Sequence, residues 1–184
     1  MGMPDLARQY TLDEVLAFPA DGNRYELVDG ELLVTPAPGT RHQVVLGRLY
    51  RALANHLAAQ PDVTVLFSPA DISWDREKLV QPDLFVIPAR ELSATWKTVR
   101  TLLLAIEIVS PSSARGDRLV KRRLYQRQGV ATYWIVDPDA ALVEVWRPTD
   151  DRPEIVTGVL RWRPTPDAEA LRLPLRDVFA NLPT

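Results

Sequence analysis

Cysteine is absent from this sequence. That excludes a disulfide framework, a cysteine-ligated zinc site and a thiol nucleophile, and it fits a reducing compartment. Long apolar runs are missing too, and nothing approaches the roughly twenty residues needed to span a bilayer. The opening MGMPDLARQYTLDEV is polar and carries acids early, unlike a secretion signal. A cytoplasmic protein with no membrane partner is therefore expected. Excess positive charge is also lacking: the formal net charge is -2, which argues against a surface coated in lysine and arginine for nucleic acid. There are no internal repeats and no low-complexity tracts.

What is present is ordinary globular material. At 184 residues with 46% apolar and 25% charged content, the chain can bury a core without covalent staples. One domain over 1–184 is expected, with a core over about 10–147 and a C-terminal strand and helical turn over 148–184. Positive charge is concentrated in RGDRLVKRRLYQR, Arg115 to Arg127, where six basic residues face the single Asp117.

The elements can be read from turn chemistry and periodicity. Thr11 to Glu14, TLDE, is a capping-box pattern opening a short helix over Leu12–Ala17. Two β-type runs, Tyr25–Val28 and Glu31–Thr35, flank Asp29-Gly30, a strong hairpin signal. Helical periodicity covers His42–Ala59 and stops at Pro61. Val63–Phe67, Ile72–Trp74, Asp83–Ile87 and Leu102–Val109 are strand-like. The basic stretch Arg118–Gln128 is helical with Gly129 as its stop. Thr132–Val136 and Leu142–Trp146 form a hairpin about Asp137-Pro138. An edge strand near Glu154–Val159 and a helical turn at Leu175–Phe179 close the chain. This order predicts an α/β or α+β domain, a mixed sheet with helices against it.

Within LLLAIEIVS, Leu102 to Ser110, one carboxylate interrupts a run that is otherwise built for burial. A charge taken out of water costs several kcal/mol unless something pairs with it. Strand alternation puts Glu107 on one face with Leu103, Ala105 and Val109. Asp83, directly after Pro82, also lies at a strand end. If the two strands are neighbours, the carboxylates converge, and a cation between them would relieve their repulsion. Two carboxylates with water and phosphate oxygens is a common way to hold magnesium. Such an ion could bind a phosphodiester and acidify a bound water. The bland explanations are an arginine partner or capping of the SPSS loop for Glu107, and a local amide cap for Asp83.

Several motifs together resemble a known family. YELVDGEL, His42, QPDLFVI, IEIVSPSS, the series Asp117, Lys121, Tyr125, then Gly129-Val130 and YWIVDP follow one another in the order seen in the Uma-type restriction endonuclease-like family of the PD-(D/E)XK nuclease superfamily. The resemblance runs from about Tyr10 to Trp146. It implies a restriction-endonuclease-like core, Mg2+ or Mn2+ as cofactor, DNA as substrate, and phosphodiester cleavage as the activity. It implies Asp83 and Glu107 as metal ligands and Lys121 as the catalytic lysine. The superfamily pattern places a lysine two residues after the glutamate, where this chain has Val109; Lys121 on the following helix is the replacement. Glu26 becomes a candidate third acid. His42, Arg118 and Arg122 are candidate phosphate contacts, and Tyr125 is a candidate for stacking on a base. A homodimer is expected because duplex DNA has two strands to cut. His56, Tyr133, Trp134 and Trp146 read as structural. Two alternatives remain: a catalytically weak DNA-binding or regulatory homodimer on the same fold, and a protein whose aromatic hairpin forms an oligomer interface.

Overall fold

Turn chemistry acts first along the chain. The computed structural model describes residues 8–183; the polar opening through Ala7, and Thr184, lie outside the described residues. Helix α1 (Leu12–Leu16) is fixed by a reciprocal cap in which Glu14 takes the Thr11 amide at 2.8 Å and Thr11 Oγ1 takes the Glu14 amide at 3.3 Å. Strands β1 (Arg24–Val28) and β2 (Glu31–Thr35) pair antiparallel about Asp29 and Gly30, whose φ angles of 51° and 84° are those of a hairpin turn matched to strand twist. A short strand β4 (Lys78–Leu79) pairs with the other edge of β1. Tyr25 and Leu27 pack with Val15 of α1 and Leu79. Alternation therefore sends Arg24 and Glu26 to the opposite face.

The main sheet has six strands. Beside β3 (Val63–Phe67) lie β5 (Leu84–Pro88), β6 (Leu104–Ile108), β7 (Tyr133–Asp137), β8 (Leu142–Trp146) and β9 (Glu154–Val156), in that order. Only β6 and β7 run parallel, and every other pair is antiparallel, so the sheet is mixed. Helix α2 (Thr40–Leu57) lays Val45, Leu49, Leu53 and Leu57 on one face of the sheet, against Leu84, Leu104 and Trp134. The β6–β7 crossover covers the other face, with Leu124 and Tyr125 against Phe85, Ala105 and Ile135. Because both faces are covered, β5 and β6 are buried along their whole length, which is why they read as continuous apolar runs. This is the expected α+β class, a mixed sheet flanked by helices.

Three expectations shift. Ile72–Trp74 is not a strand; Ile72 makes one isolated bridge to Val80. The basic stretch is not a continuous α-helix: Gly116–Lys121 forms a π-helical turn, followed by α3 (Arg122–Arg127). The single edge strand expected over Glu154–Val159 divides at Thr157-Gly158 into β9 and β10 (Val159–Trp162). Strand β10 leaves the main sheet and pairs with β11 (Leu171–Pro174), so that Leu160, Trp162, Leu171 and Leu173 join the α2 side of the core, next to α4 (Leu175–Phe179). Apolar burial outcompeted continued pairing with β8. No helix among the described residues is long and apolar enough to cross a membrane.

Candidate active site

Strand register brings the first two acids together. Leu84 of β5 lies opposite Ile106 of β6, and one further step along this antiparallel pair sets Asp83 beside Glu107. The chain before Asp83 is tied down by Ser68, whose Oγ donates to the Pro82 carbonyl at 2.7 Å. From β6 the Ile108 amide donates to Asp83 Oδ2 at 2.8 Å, and from the first turn of α2 His42 Nε2 stands 3.0 Å from the same oxygen. Strand β1 supplies two more groups. Glu26 Oε1 accepts the Gln81 amide at 2.7 Å. Arg24 donates from Nη2 to Asp83 Oδ1 at 2.7 Å and from Nη1 to the Gln81 carbonyl at 2.9 Å; the same Nη1 lies 3.7 Å from Glu107 Oε2.

The β6–β7 crossover completes the cluster. Its π-helical turn points Asp117 and Lys121 inward together, a use of such turns common at functional sites. Lys121 Nζ lies 2.6 Å from Glu26 Oε2, 3.1 Å from Glu107 Oε1 and 3.1 Å from Asp117 Oδ1. The Tyr125 hydroxyl donates to Glu107 Oε1 at 3.1 Å, and the Tyr133 hydroxyl donates to the Asp117 carbonyl at 3.1 Å. Among the described residues the buried charged side chains are Glu26, Asp83, Glu107, Asp117 and Lys121, each at most 2% exposed, and all five belong to this cluster.

The electrostatics are unbalanced in a consistent direction. The acids Glu26, Asp83, Glu107 and Asp117 face two permanent cations, Lys121 and Arg24, so formal charges sum to -2. Burial pushes the Glu107 carboxyl well above its usual range; Lys121 opposes this, while Asp117, Asp83 and Glu26 add to it. Burial works against the Lys121 ammonium, yet Glu107, Glu26 and Asp117 outweigh it and hold the proton firmly on the nitrogen. At Asp83 burial is likewise outweighed, by the His42 hydrogen bond and the Arg24 charge, which keep the carboxylate ionised. Two carboxylates from neighbouring strands thus differ sharply in proton affinity.

The structure gathers Asp83, Glu107, Lys121, Glu26 and His42 at one place. Three other expected residues are turned elsewhere. Tyr125 is fully buried and bonded to Glu107, so it cannot stack on a base; its ring packs at 4.7 Å from that of Tyr133. Arg118 is held by Glu144 and Asp137, each at 2.7 Å. Arg122 lies over the Trp146 ring at 4.6 Å and donates to Gln126. Both arginines serve the β7–β8 side of the fold rather than the cluster, because acids and an aromatic ring there satisfy them locally. Val109 packs in the core, leaving Lys121 as the lysine beside Glu107. Arg24 and Asp117 were not singled out as site residues from the sequence. Their signals were the spacing of Arg24 and Glu26 on one face of β1 and the four-residue spacing of Asp117 and Lys121.

Water and ligands can reach the cluster. A cavity of about 110 Å³ lies over it, walled by Pro36, Gly39, His42, Ser110, Ser112 and the acids Asp83, Glu107 and Asp117. A second, of about 380 Å³, adjoins it past Arg24 and His42 and extends to Phe67 and Ser68. Among the described residues no three His, Asp or Glu groups form a ready metal cage. The donor set fits instead an ion of the magnesium kind, held by one or two carboxylates with water and phosphate completing the shell, and the excess negative charge has the right sign.

No protein with a curated description matches the chain. In structure it is similar to a crystal structure described as "a putative nuclease belonging to DUF820" from Anabaena variabilis ATCC 29413, with a TM-score of 0.78 at 20% identity over 95% of this chain and 99% of that one. That likeness establishes the fold. Residues 12–176 match the family model described as "Uma2: Putative restriction endonuclease", and with the match spanning most of its length the chain belongs to this family.

Proposed function

We propose that the protein is an endodeoxyribonuclease that hydrolyses DNA phosphodiester bonds with a divalent cation, Mg2+ or Mn2+, held at Asp83 and Glu107. One observation carries this reading: of the five buried charged side chains of the described residues, Asp83, Glu107, Asp117 and Lys121 line a single cavity, and the fifth, Glu26, is paired with Lys121 behind it. Each buried ion costs several kcal/mol, and a fold selected for stability alone would fill such a place with apolar groups. Perturbed ionisable groups gathered at a cleft mark functional sites, and family membership supplies the substrate class.

When bound, the ion would neutralise charge on the phosphate and acidify a coordinated water. The chain's own residues prepare for this. The Ile108 amide and His42 hold one oxygen of Asp83, so the carboxylate is oriented before any ligand arrives. Lys121 stays an ammonium next to Glu107, and its positive charge would stabilise negative charge developing on the phosphate. Glu26 and Asp117 grip that ammonium from two further sides. Glu26 therefore acts as a positioning residue for Lys121, in place of the third-ligand role open to it from sequence. His42 is engaged through Nε2 with Asp83, so its part in this reading is to orient that carboxylate in place of the phosphate contact open to it from sequence. Cutting both strands of a duplex calls for two such sites, hence a homodimer acting on cytoplasmic DNA.

The test is nicking of supercoiled plasmid and of single-stranded DNA in Mg2+ or Mn2+, with chelator and with Glu107→Gln. We expect cleavage that chelator abolishes and that Glu107→Gln lowers by about 100-fold or more. Equal activity in the two proteins would count against the assignment. Arg24, lying across the two acids, favours a second reading, a DNA-binding homodimer with little turnover. Salt-dependent DNA binding that ignores chelator and produces no cuts would select that alternative.

A further inference from the structure

Arg24 reaches both of the carboxylates proposed to hold the divalent ion. Each oxygen of the Asp83–Glu107 pair has a clear set of partners. Asp83 Oδ2 is taken by the Ile108 amide and His42, and Glu107 Oε1 by Lys121 and Tyr125. The two remaining oxygens, Asp83 Oδ1 and Glu107 Oε2, have Arg24 alone, at 2.7 Å and 3.7 Å. Those are the atoms left to bind an ion.

We infer that Arg24 is a built-in competitor of the metal: it bridges the free oxygens of Asp83 and Glu107, and must withdraw for a divalent cation to bind. This rests on the metal-dependent reading above. The geometry makes the exchange feasible. The contact to Glu107 is longer than a hydrogen bond, so only the Asp83 end is firmly held. The side chain is 16% exposed and lies on the boundary of both cavities, and the larger adjoining one, walled by Gly22, Asn23, Pro36 and Gln81, gives the guanidinium room to turn aside. Charge favours the swap as well. The cluster sums to -2 with Arg24 in place, and replacing one positive charge by two brings it to -1. Arginine is a fitting placeholder, since its planar fork can address two carboxylates while keeping its charge at any working pH.

Arg24 then sets a threshold for metal. Below it Arg24 keeps a positive charge against Asp83 and Glu107 and eases their repulsion; above it the site opens. The experiment is calorimetric titration of Mn2+ into the wild-type protein, Arg24→Gln and Asp83→Asn. We expect Arg24→Gln to bind about tenfold tighter than wild type or more, because a like charge a few ångströms away is gone, and Asp83→Asn to lose binding. Wild-type binding that Asp83→Asn removes but Arg24→Gln leaves equal or weaker would overturn the inference and leave the metal reading standing. No binding in any of the three proteins would end both. Should Arg24→Gln fail to fold, the wild type alone decides. Arginine side-chain NMR with added Mg2+ is expected to show the Nη–H resonances of one guanidinium leaving their ion-paired positions, and an unmoved set of arginine signals in Mg2+-saturated protein would overturn the inference.

Discussion

Lys121 is the buried cation on which three buried acids depend. Its ammonium is the shared partner of Glu26, Glu107 and Asp117. Lys121→Met keeps much of the volume and removes the charge, leaving carboxylates buried without compensation, a change that costs about 3–5 kcal/mol. The pH dependence follows from Glu107. Its carboxyl is already raised by burial with Lys121 pulling it down, so deletion raises it further. A carboxyl with a higher pKa folded than unfolded binds more protons in the folded state, so stability falls as pH rises from the unfolded value, about 4.3, toward the folded one. Urea unfolding should therefore show a deficit for Lys121→Met that grows from pH 5 to pH 8. A deficit constant across that range would mean the acids are not competing for protons as described. Glu107 and Asp83 were legible in the letters because a charge inside an apolar run, and an acid at a strand start, are anomalies in one dimension. Arg24 was less legible. Alternation puts it on the same face of β1 as Glu26, but only the fold of β1 beside β5 and β6 gives its guanidinium two carboxylates to bridge. Tyr125 misled for a related reason: a helical stripe says which residues share a face, and not whether that face meets solvent or a sheet.

At the scale of elements, the crossover between β6 and β7 does the positioning, and its end is as specific as its π-helical start. The Gly129 amide donates to the Gln126 carbonyl at 3.1 Å and the Val130 amide to the Tyr125 carbonyl at 3.0 Å, the paired bonds of a Schellman stop. Gly129 has φ of 68° with open space where a Cβ would sit. Gly129→Ala meets no clash, so its cost is the left-handed backbone alone, about 1 kcal/mol. Thermal unfolding should record a modest drop in Tm. Because Tyr125 before that stop and Val130 after it belong to one core cluster, plasmid nicking should also weaken slightly if the helix end shifts Tyr125 away from Glu107. An unchanged Tm would show that the stop contributes nothing. Local chemistry of this sort was readable in advance, as were the α1 cap and the Asp29-Gly30 turn, since each is decided within a few residues. The tail was not. Whether Val159–Trp162 extends β9 or leaves to pair with β11 depends on the apolar surface that α2 leaves uncovered, which no short window contains.

Across the whole molecule the distribution of charge matters more than its sum. Three arginines of the basic stretch that would attract DNA are engaged elsewhere: Arg118 with Asp137 and Glu144, Arg122 over Trp146, and Arg127 with Asp29. The cavity mouth overlies four acids and two cations, so phosphate meets a repulsive field where catalysis is proposed to occur. Divalent cation reverses that sign, which makes the ion an electrostatic admission ticket for the substrate as well as a reagent. Fluorescence anisotropy with a short labelled duplex checks this. In chelator, binding should be no tighter than the non-specific range of about 10⁻⁴–10⁻⁶ M at physiological salt. Added Ca2+, another hard cation that takes carboxylate oxygens, should strengthen it by about tenfold or more, and the gain should vanish in Asp83→Asn. Tight binding in chelator, insensitive to that substitution, would place the DNA on another face of the molecule and separate recognition from the buried cluster.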